Sequence, residues 1–360
     1  MGVKQERIYD QNDVLYEIYR MRGLTIGQLC EVIFHSKHYA YKFLKRLKDK
    51  EYLTDWMDMN GKKRAAKIYM CTDKAIYALR KAGYIDNGIE ARYNAPLREK
   101  MKYTVLTNEV YAAMMPYGIH MLDSREWKRI YEMDRNALVR GGLRMADGRE
   151  LALYLFFSEN QLSGAKLTAA LLKKFQHEIL KFAQSNRIAV ICYDEKIYKT
   201  VVDEITKHPN LMVFKELLII PFGKDDFGYH LLHLTRSNVE RRSDLEEILN
   251  ARLYDNHPSL AGNKQNFAGY VADYGSHETY IVDFLSMNYP VLHHLMTHYH
   301  HENFVKNGRE VQIVCWKASE KELERKFARY PHVKVISVSL REIKDKYMPR
   351  LGKRKLHELI

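Results

Sequence analysis

The sequence predicts a mixed α/β chain: a small helical N-terminal domain closed by a β-hairpin, followed by two α/β domains. Three observations carry this reading. Up to residue 81, apolar residues recur at i, i+3, i+4 and i+7 in short segments, the mark of amphipathic helices. Asn60-Gly61, a strong two-residue hairpin signal, separates two strand-like stretches. From residue 150 onward, short apolar runs alternate with helical patterns twice over, which implies parallel strands joined by helical crossovers.

The elements follow in order. Residues 10–22 suit a first helix, with Asp10 or Asn12 as cap and Val14, Leu15, Ile18 and Tyr19 as its apolar face. Gly23 ends it, and residues 25–33 form a second helix. Ser36 can cap a third by accepting a hydrogen bond from an otherwise unpaired backbone N–H. In that helix Ala40, Phe43, Leu44 and Leu47 share the core face, which leaves Lys37, His38, Tyr41, Lys42, Lys45 and Arg46 outside. A strand-like stretch reaches Asn60-Gly61, and Lys62-Lys63-Arg64 opens the return strand. Thr72 or Asp73 caps a helix from Lys74 to Lys81. A linker follows, then a helix from about Glu99 to Met115.

The remainder holds an approximate repeat. One copy predicts a strand at Glu150–Phe157, a helix at Lys166–Ala183, a strand at Arg187–Tyr193, a helix at Glu195–Lys207 and a strand at Leu211–Pro221. The other predicts a strand at Glu278–Leu285, a helix at Val291–Lys306, a strand at Glu310–Trp316, a helix at Ser319–Tyr330 and a strand at Val333–Leu340. Duplication, or chance likeness between two generic runs of this kind, would each account for the match. The domain layout expected is 1–85, a linker at 86–102, a first α/β domain at 103–225, a connecting helix and linker at 226–262, a second α/β domain at 263–345 and a basic tail at 346–360.

Composition bounds the function. The chain has 360 residues, a net charge of +13 and 46% hydrophobic residues, so it can bury sizeable cores and favours a polyanionic partner. Residues 1–100 hold 20 Lys or Arg against 13 Asp or Glu. Cys30, Cys71, Cys192 and Cys315 are scattered without a CxxC pair, and all four read as buried free thiols of a reducing compartment. With no leader-like segment and no apolar run of about 18 residues, the expectation is a cytoplasmic protein that does not use a membrane.

A short helix, a basic helix and a basic hairpin in succession read as a winged helix-turn-helix, an arrangement that grips double-stranded DNA. Lys37, His38 and Tyr41, at the start of the third helix, are placed to touch base edges. Lys42, Lys45 and Arg46 are placed to hold phosphates, and Lys62, Lys63 and Arg64 form the wing tip. A winged helix that docks proteins instead is the other use of this skeleton.

Two further constellations bear on chemistry. Asp147 precedes one strand, and Asp273 precedes the strand that holds Asp283, a partial match to metal-dependent nucleases of the PD-(D/E)xK type. The strand at 151–157 has no acid or Lys, and Asp283 has no Lys two residues on, so no catalytic residue is assigned and both α/β domains read as degenerate nuclease-like scaffolds. His294, His298 and His301 would share a helix face at i, i+4 and i+7, but with neither a Cys nor a clear acidic fourth ligand the reading is a polar face, and no metal is assigned. No GxGxxG or GxxxxGK[ST] loop is present, and no cofactor is expected.

The order of parts resembles the replication-relaxation family of plasmids and integrative elements of Gram-positive bacteria. The likeness rests on Leu24-Thr25-Ile26-Gly27-Gln28-Leu29, Ala40-Tyr41-Lys42-Phe43-Leu44-Lys45-Arg46-Leu47, Glu51-Tyr52-Leu53 and Thr72-Asp73-Lys74-Ala75. Ala146-Asp147-Gly148 stands where that family tends to carry Pro-Asp before a strand, but no acidic pair follows. The resemblance implies a DNA-binding protein of replication or mobilisation. The expectation is therefore a sequence-specific binder of double-stranded DNA, a homodimer, working with replication or relaxosome proteins. A transcriptional repressor with the same winged helix and a metal-dependent nuclease are the alternatives.

Overall fold

The structure, a computed structural model, describes residues 9–34, 36–57, 67–85, 98–115, 119–145, 147–157, 169–181, 187–222, 230, 233–261 and 267–339. It is a mixed α/β protein. The chain divides into two compact units, Met1–Pro116 and Tyr117–Ile360.

The first unit runs α1 (Gln11–Arg20), β1 (Leu24–Thr25), α2 (Ile26–Val32), α3 (Lys37–Asp49), β2 (Leu53–Met57), β3 (Lys67–Cys71), α4 (Asp73–Lys81) and α5 (Arg98–Met114). Its helices start where side chains satisfy the free N–H groups of a first turn. Asp10 and Asp13 form a reciprocal capping box, as do Thr25 and Gln28, while Ser36 caps α3 and Thr72 caps α4. The short β1 pairs with β3, and β3 pairs with β2, all antiparallel, giving the order β1-β3-β2. Val14, Leu15, Ile18, Leu29, Leu44, Leu47 and Leu79 make the core.

Helix α5 begins at Arg98, inside the stretch expected as linker, and belongs to this first unit. It is tied down by polar groups as well as by packing. The Gln28 amide donates to the Val105 carbonyl at 2.9 Å, and the buried Asn108 amide donates to the carbonyls of Met21 and Gly23. The Tyr111 hydroxyl donates to Glu17 at 2.7 Å and accepts from Arg20. Met101 packs against Ile68 and Met70.

The second unit holds two five-stranded sheets of the same design. The first contains β4 (His120–Asp123), β5 (Gly141–Arg144), β6 (Glu150–Phe156), β7 (Arg187–Cys192) and β8 (Glu216–Pro221), in that order, with α6 (Ser124–Ile130), α7 (Ala169–Lys181) and α8 (Glu195–Thr206) between strands. After α9 (Asn238–Leu249), the second contains β9 (Arg252–Tyr254), β10 (Tyr270–Asp273), β11 (Glu278–Asp283), β12 (Glu310–Trp316) and β13 (Val333–Val338), again adjacent in chain order, with α10 (Tyr289–His298), α11 (His301–Asn307) and α12 (Glu320–Phe327). In each sheet the first three strands pair antiparallel and the last three parallel. The sheets meet where the Asn288 side chain accepts from the Leu217 N–H at 3.0 Å and the Met287 carbonyl accepts from Ile219.

Several expectations are corrected. The strand expected from Leu211 starts at Glu216, because Pro209–Leu211 forms a 3-10 turn that Pro209, lacking an N–H, can open. The helix expected at Val291–Lys306 is two helices. Tyr299 leaves helical geometry and turns its ring onto Phe267 and Tyr280, at 5.2 and 5.5 Å, which separates α10 from α11. Cys30 is part-exposed, whereas Cys71, Cys192 and Cys315 are buried thiols. Strands β4, β5, β9 and β10 go beyond those the sequence pattern predicts. Gly141 and Gly142 make β5 possible: a Cβ on Gly142 would fall 1.7 Å from the Trp127 ring, and one on Gly141 2.3 Å from the Leu122 carbonyl. No helix among the described residues is long and apolar enough to cross a membrane.

Candidate nucleic-acid interface

Helix α3 presents the charged surface that the sequence singled out. Ala40, Phe43, Leu44 and Leu47 are buried, which fixes the rotation of the helix about its axis. Its start is held by Ser36, whose hydroxyl accepts from the Tyr39 N–H, and by an aromatic cluster in which Phe34 lies 5.4 Å from Phe43 and 5.8 Å from Tyr39. The start of the helix is therefore held at a set angle to its core. Lys37, His38, Tyr41, Lys42, Lys45 and Arg46 are all exposed on its outer face.

The pairing of these cations matters as much as their exposure. None of Lys37, Lys42, Lys45 or Arg46 makes an ion pair among the described residues; the Arg46 guanidinium lies over the Phe43 ring at 4.9 Å. Lys48, one turn further, is different. It pairs with Asp55 of β2, which also takes Lys67 of β3 at 2.8 Å. Burial pushes the Asp55 carboxyl up, but hydrogen bonds from Lys48 and Lys67 outweigh it and hold the group below its ordinary value. Asp55 thereby takes Lys48 out of the free cationic set.

Sequence reasoning passed over Tyr39. Its ring is 56% exposed beside Tyr41 at 50%, and its edge rests on the Phe34–Phe43 pair. The available signal was Phe34, an aromatic residue just before the cap. The Asn60-Gly61 turn and the cations Lys62, Lys63 and Arg64 lie outside the described residues, between β2 and β3.

The acids of the partial nuclease pattern are dispersed and engaged. Asp147 accepts from the Arg149 backbone at 3.0 Å and from its side chain at 2.6 Å. Asp273, at the end of β10, accepts from the Gly275 N–H at 2.7 Å. Asp283 closes β11, where its oxygens meet His233 Nε2 at 3.0 Å and the Leu285 N–H at 3.1 Å. Burial pushes the Asp283 carboxyl up, yet His233 and Arg241 overcome that and hold it below its ordinary value. Among the described residues no three His, Cys, Asp or Glu side chains gather as a metal-holding group. The break at Tyr299 removes the shared helix face expected for His294, His298 and His301: His294 stacks on His298 at 5.7 Å, and His301 lies instead beside His332 and Phe304.

Residues 15–159 match the replication-relaxation family. The resemblance read from the sequence holds over that stretch, which runs from within α1 through β6. The match points to a role in replication or mobilisation of a plasmid or mobile element. No curated protein and no solved structure matches the chain.

Proposed function

We propose that the first unit is a winged helix-turn-helix that reads double-stranded DNA in the replication or mobilisation of a mobile element. One observation carries this reading: α3 displays four cations that pair with no carboxylate among the described residues, next to two exposed tyrosines, on a helix whose orientation the core fixes. Unpaired cations on a rigid element bind phosphates without first breaking an internal ion pair. Lys37, His38 and Tyr41, at the N-terminal end, would face base edges, and Lys42, Lys45 and Arg46 would hold the backbone. Lys62, Lys63 and Arg64 serve as the wing tip in this reading. The second unit acts as a scaffold for self-association and for recruiting replication or relaxosome proteins, and the chain is not an enzyme. A dimer on repeated sites would gain affinity through effective concentration.

The test is selection of bound fragments from the DNA of the host element, at about 150 mM salt, where non-specific binding is suppressed. Enrichment at an origin or transfer site supports the reading. Enrichment at a promoter would move the protein to transcriptional control. Binding to all fragments alike, or to none, would overturn sequence-specific recognition. Replacing Lys42, Lys45 and Arg46 with Ala should flatten the salt dependence by about 0.9 in log–log slope for each phosphate that is no longer neutralised.

A further inference from the structure

The second unit contains a cleft of about 160 Å³ lined by Arg149, Glu216, Arg241, Tyr270, Asp283 and Ser286 among others. It lies where β8 of one sheet meets β11 and the start of α10 of the other.

Most of the polar groups in its wall are already used. Arg149 donates to Asp147, to Glu216 at 3.1 Å and to the Leu234 carbonyl at 2.9 Å. Both Asp283 oxygens are taken by His233 and Leu285, and Asn288 is taken by Leu217 and Lys215. Four groups remain. Arg241 bonds Asn238 through one nitrogen, has no ion pair among the described residues, and keeps a buried Nε–H without an acceptor. The hydroxyls of Tyr270 and Ser286, both on buried residues, have no hydrogen-bond partner among the described residues. On the other side, Glu216 gives one oxygen to Arg149 and to Arg187, 3.6 Å away, and leaves the buried Oε2 without a donor.

A buried guanidinium Nε–H and two hydroxyls without acceptors among the described residues, in the wall of the same cleft as a buried carboxylate oxygen without a donor, define the complementary ligand. We propose that this cleft binds a small oxyanion that retains a proton, such as hydrogen phosphate: its oxygens accept from Arg241, Tyr270 and Ser286, and its O–H donates to Glu216 Oε2. Arg241 Nε and Glu216 Oε2, buried without partners among the described residues, cost free energy, and such a ligand satisfies both while it also accepts from the two hydroxyls. A guanidinium edge matches a tetrahedral oxyanion through parallel N–H···O bonds. Sulfate, fully deprotonated near neutral pH, would set an oxygen against Glu216 Oε2 and leave that group unsatisfied. The inference is independent of the DNA-binding reading, since the residues that carry it lie outside the first unit.

The experiment is calorimetric titration of the full chain at pH 7 with inorganic phosphate, sulfate and glycolate at matched ionic strength. The Lys42→Ala, Lys45→Ala, Arg46→Ala variant is titrated in parallel to remove phosphate bound at α3. The expected result is saturable one-to-one phosphate binding that survives in the α3 variant and is at least tenfold tighter than sulfate. Glycolate, a carboxylate with a hydroxyl proton, separates a phosphate site from a hydroxy-acid site: weaker binding than phosphate supports the proposal, and tighter binding overturns the assignment to phosphate. Arg241→Gln should abolish binding, and Tyr270→Phe, which removes one hydroxyl and little packing, should weaken it about tenfold. The proposal fails if no phosphate binding saturates, if the α3 variant loses it, if sulfate binds equally, or if a folded Tyr270→Phe protein binds phosphate as the wild type does.

Discussion

Four cations of α3 and four of the second unit are the same residue types in opposite circumstances. Arg149 reaches Asp147, Glu216 and a backbone carbonyl; Arg236 pairs with Asp244, Arg309 with Glu278, and Lys334 with Glu310. Lys37, Lys42, Lys45 and Arg46 pair with no carboxylate among the described residues. Net charge alone therefore says little about where a polyanion would bind. A paired arginine is part of the fold, and an unpaired lysine on a rigid helix is free to recruit.

The sharpest way to break this contrast is to compare two single substitutions. Arg149→Ala leaves Glu216 and Asp147 without their main partner and should cost up to about 3–5 kcal/mol, the ceiling that a fully buried pair sets, these groups being part-buried. Lys45→Ala should leave stability within about 0.5 kcal/mol. Denaturant unfolding of both proteins measures this, and similar values would erase the distinction.

A smaller effect is expected at the base-reading end of α3. Tyr41→Ala should cost about 1–3 kcal/mol on the cognate site while leaving random DNA nearly unchanged. Equal loss on both, in competition binding, would make Tyr41 a backbone contact. Comparable in size is Asn108→Ala, about 1–3 kcal/mol of stability, because two buried carbonyls lose their donor. Chemical denaturation followed through Trp56 would show it, and no change would mean that packing alone holds α5.

The last effect is a divergence with pH. Burial, with Glu31 nearby, pushes Glu109 of the first unit up to about 7 from 4.5. Its folded state prefers the proton, so the stability linked to Glu109 is fully present below about pH 4.5 and is lost as pH rises through about 7. His230 of the second unit moves the other way. Burial lowers it from 6.5 to about 4 against a weak bond to the Leu285 carbonyl, so its neutral form favours folding above about pH 6.5, and that contribution fades as pH falls toward 4. Acidification from pH 7 to 4.5 should thus help the first unit and weaken the second. Glu109→Gln should remove the first trend, and parallel shifts in that variant and the wild type would count against the assignment.

What the sequence made legible follows from local physics. The core face of α3, the caps at Asp10, Ser36 and Thr72 and the strand at Glu310–Trp316 each depend on neighbours within one or two turns. The short antiparallel strands did not show, because four residues such as Gly141–Arg144 carry too little pattern and depend on Trp127 lying against Gly142. The break at Tyr299 was hidden because a tyrosine is compatible with a helix until distant rings offer it a better place. The cleft was unreadable for a related reason: Arg241, Tyr270 and Ser286 meet Glu216 only after two sheets have formed.

The docking of α5 has a consequence for how this protein can be inherited in pieces. A fragment ending at residue 85 keeps all of α3, yet it strips the Asn108 amide from the Met21 and Gly23 carbonyls, the Tyr111 hydroxyl from Glu17 and Arg20, and Met101 from Ile68 and Met70. A recombination event that exchanges this end of the chain between relatives would have to cross over beyond Met114 to transmit a stable module. Crossovers before Arg98 would join an α5 from one parent to a groove shaped by the other, and the hybrids that survive should be those in which Gln28, Asn108 and Tyr111 travel with their acceptors.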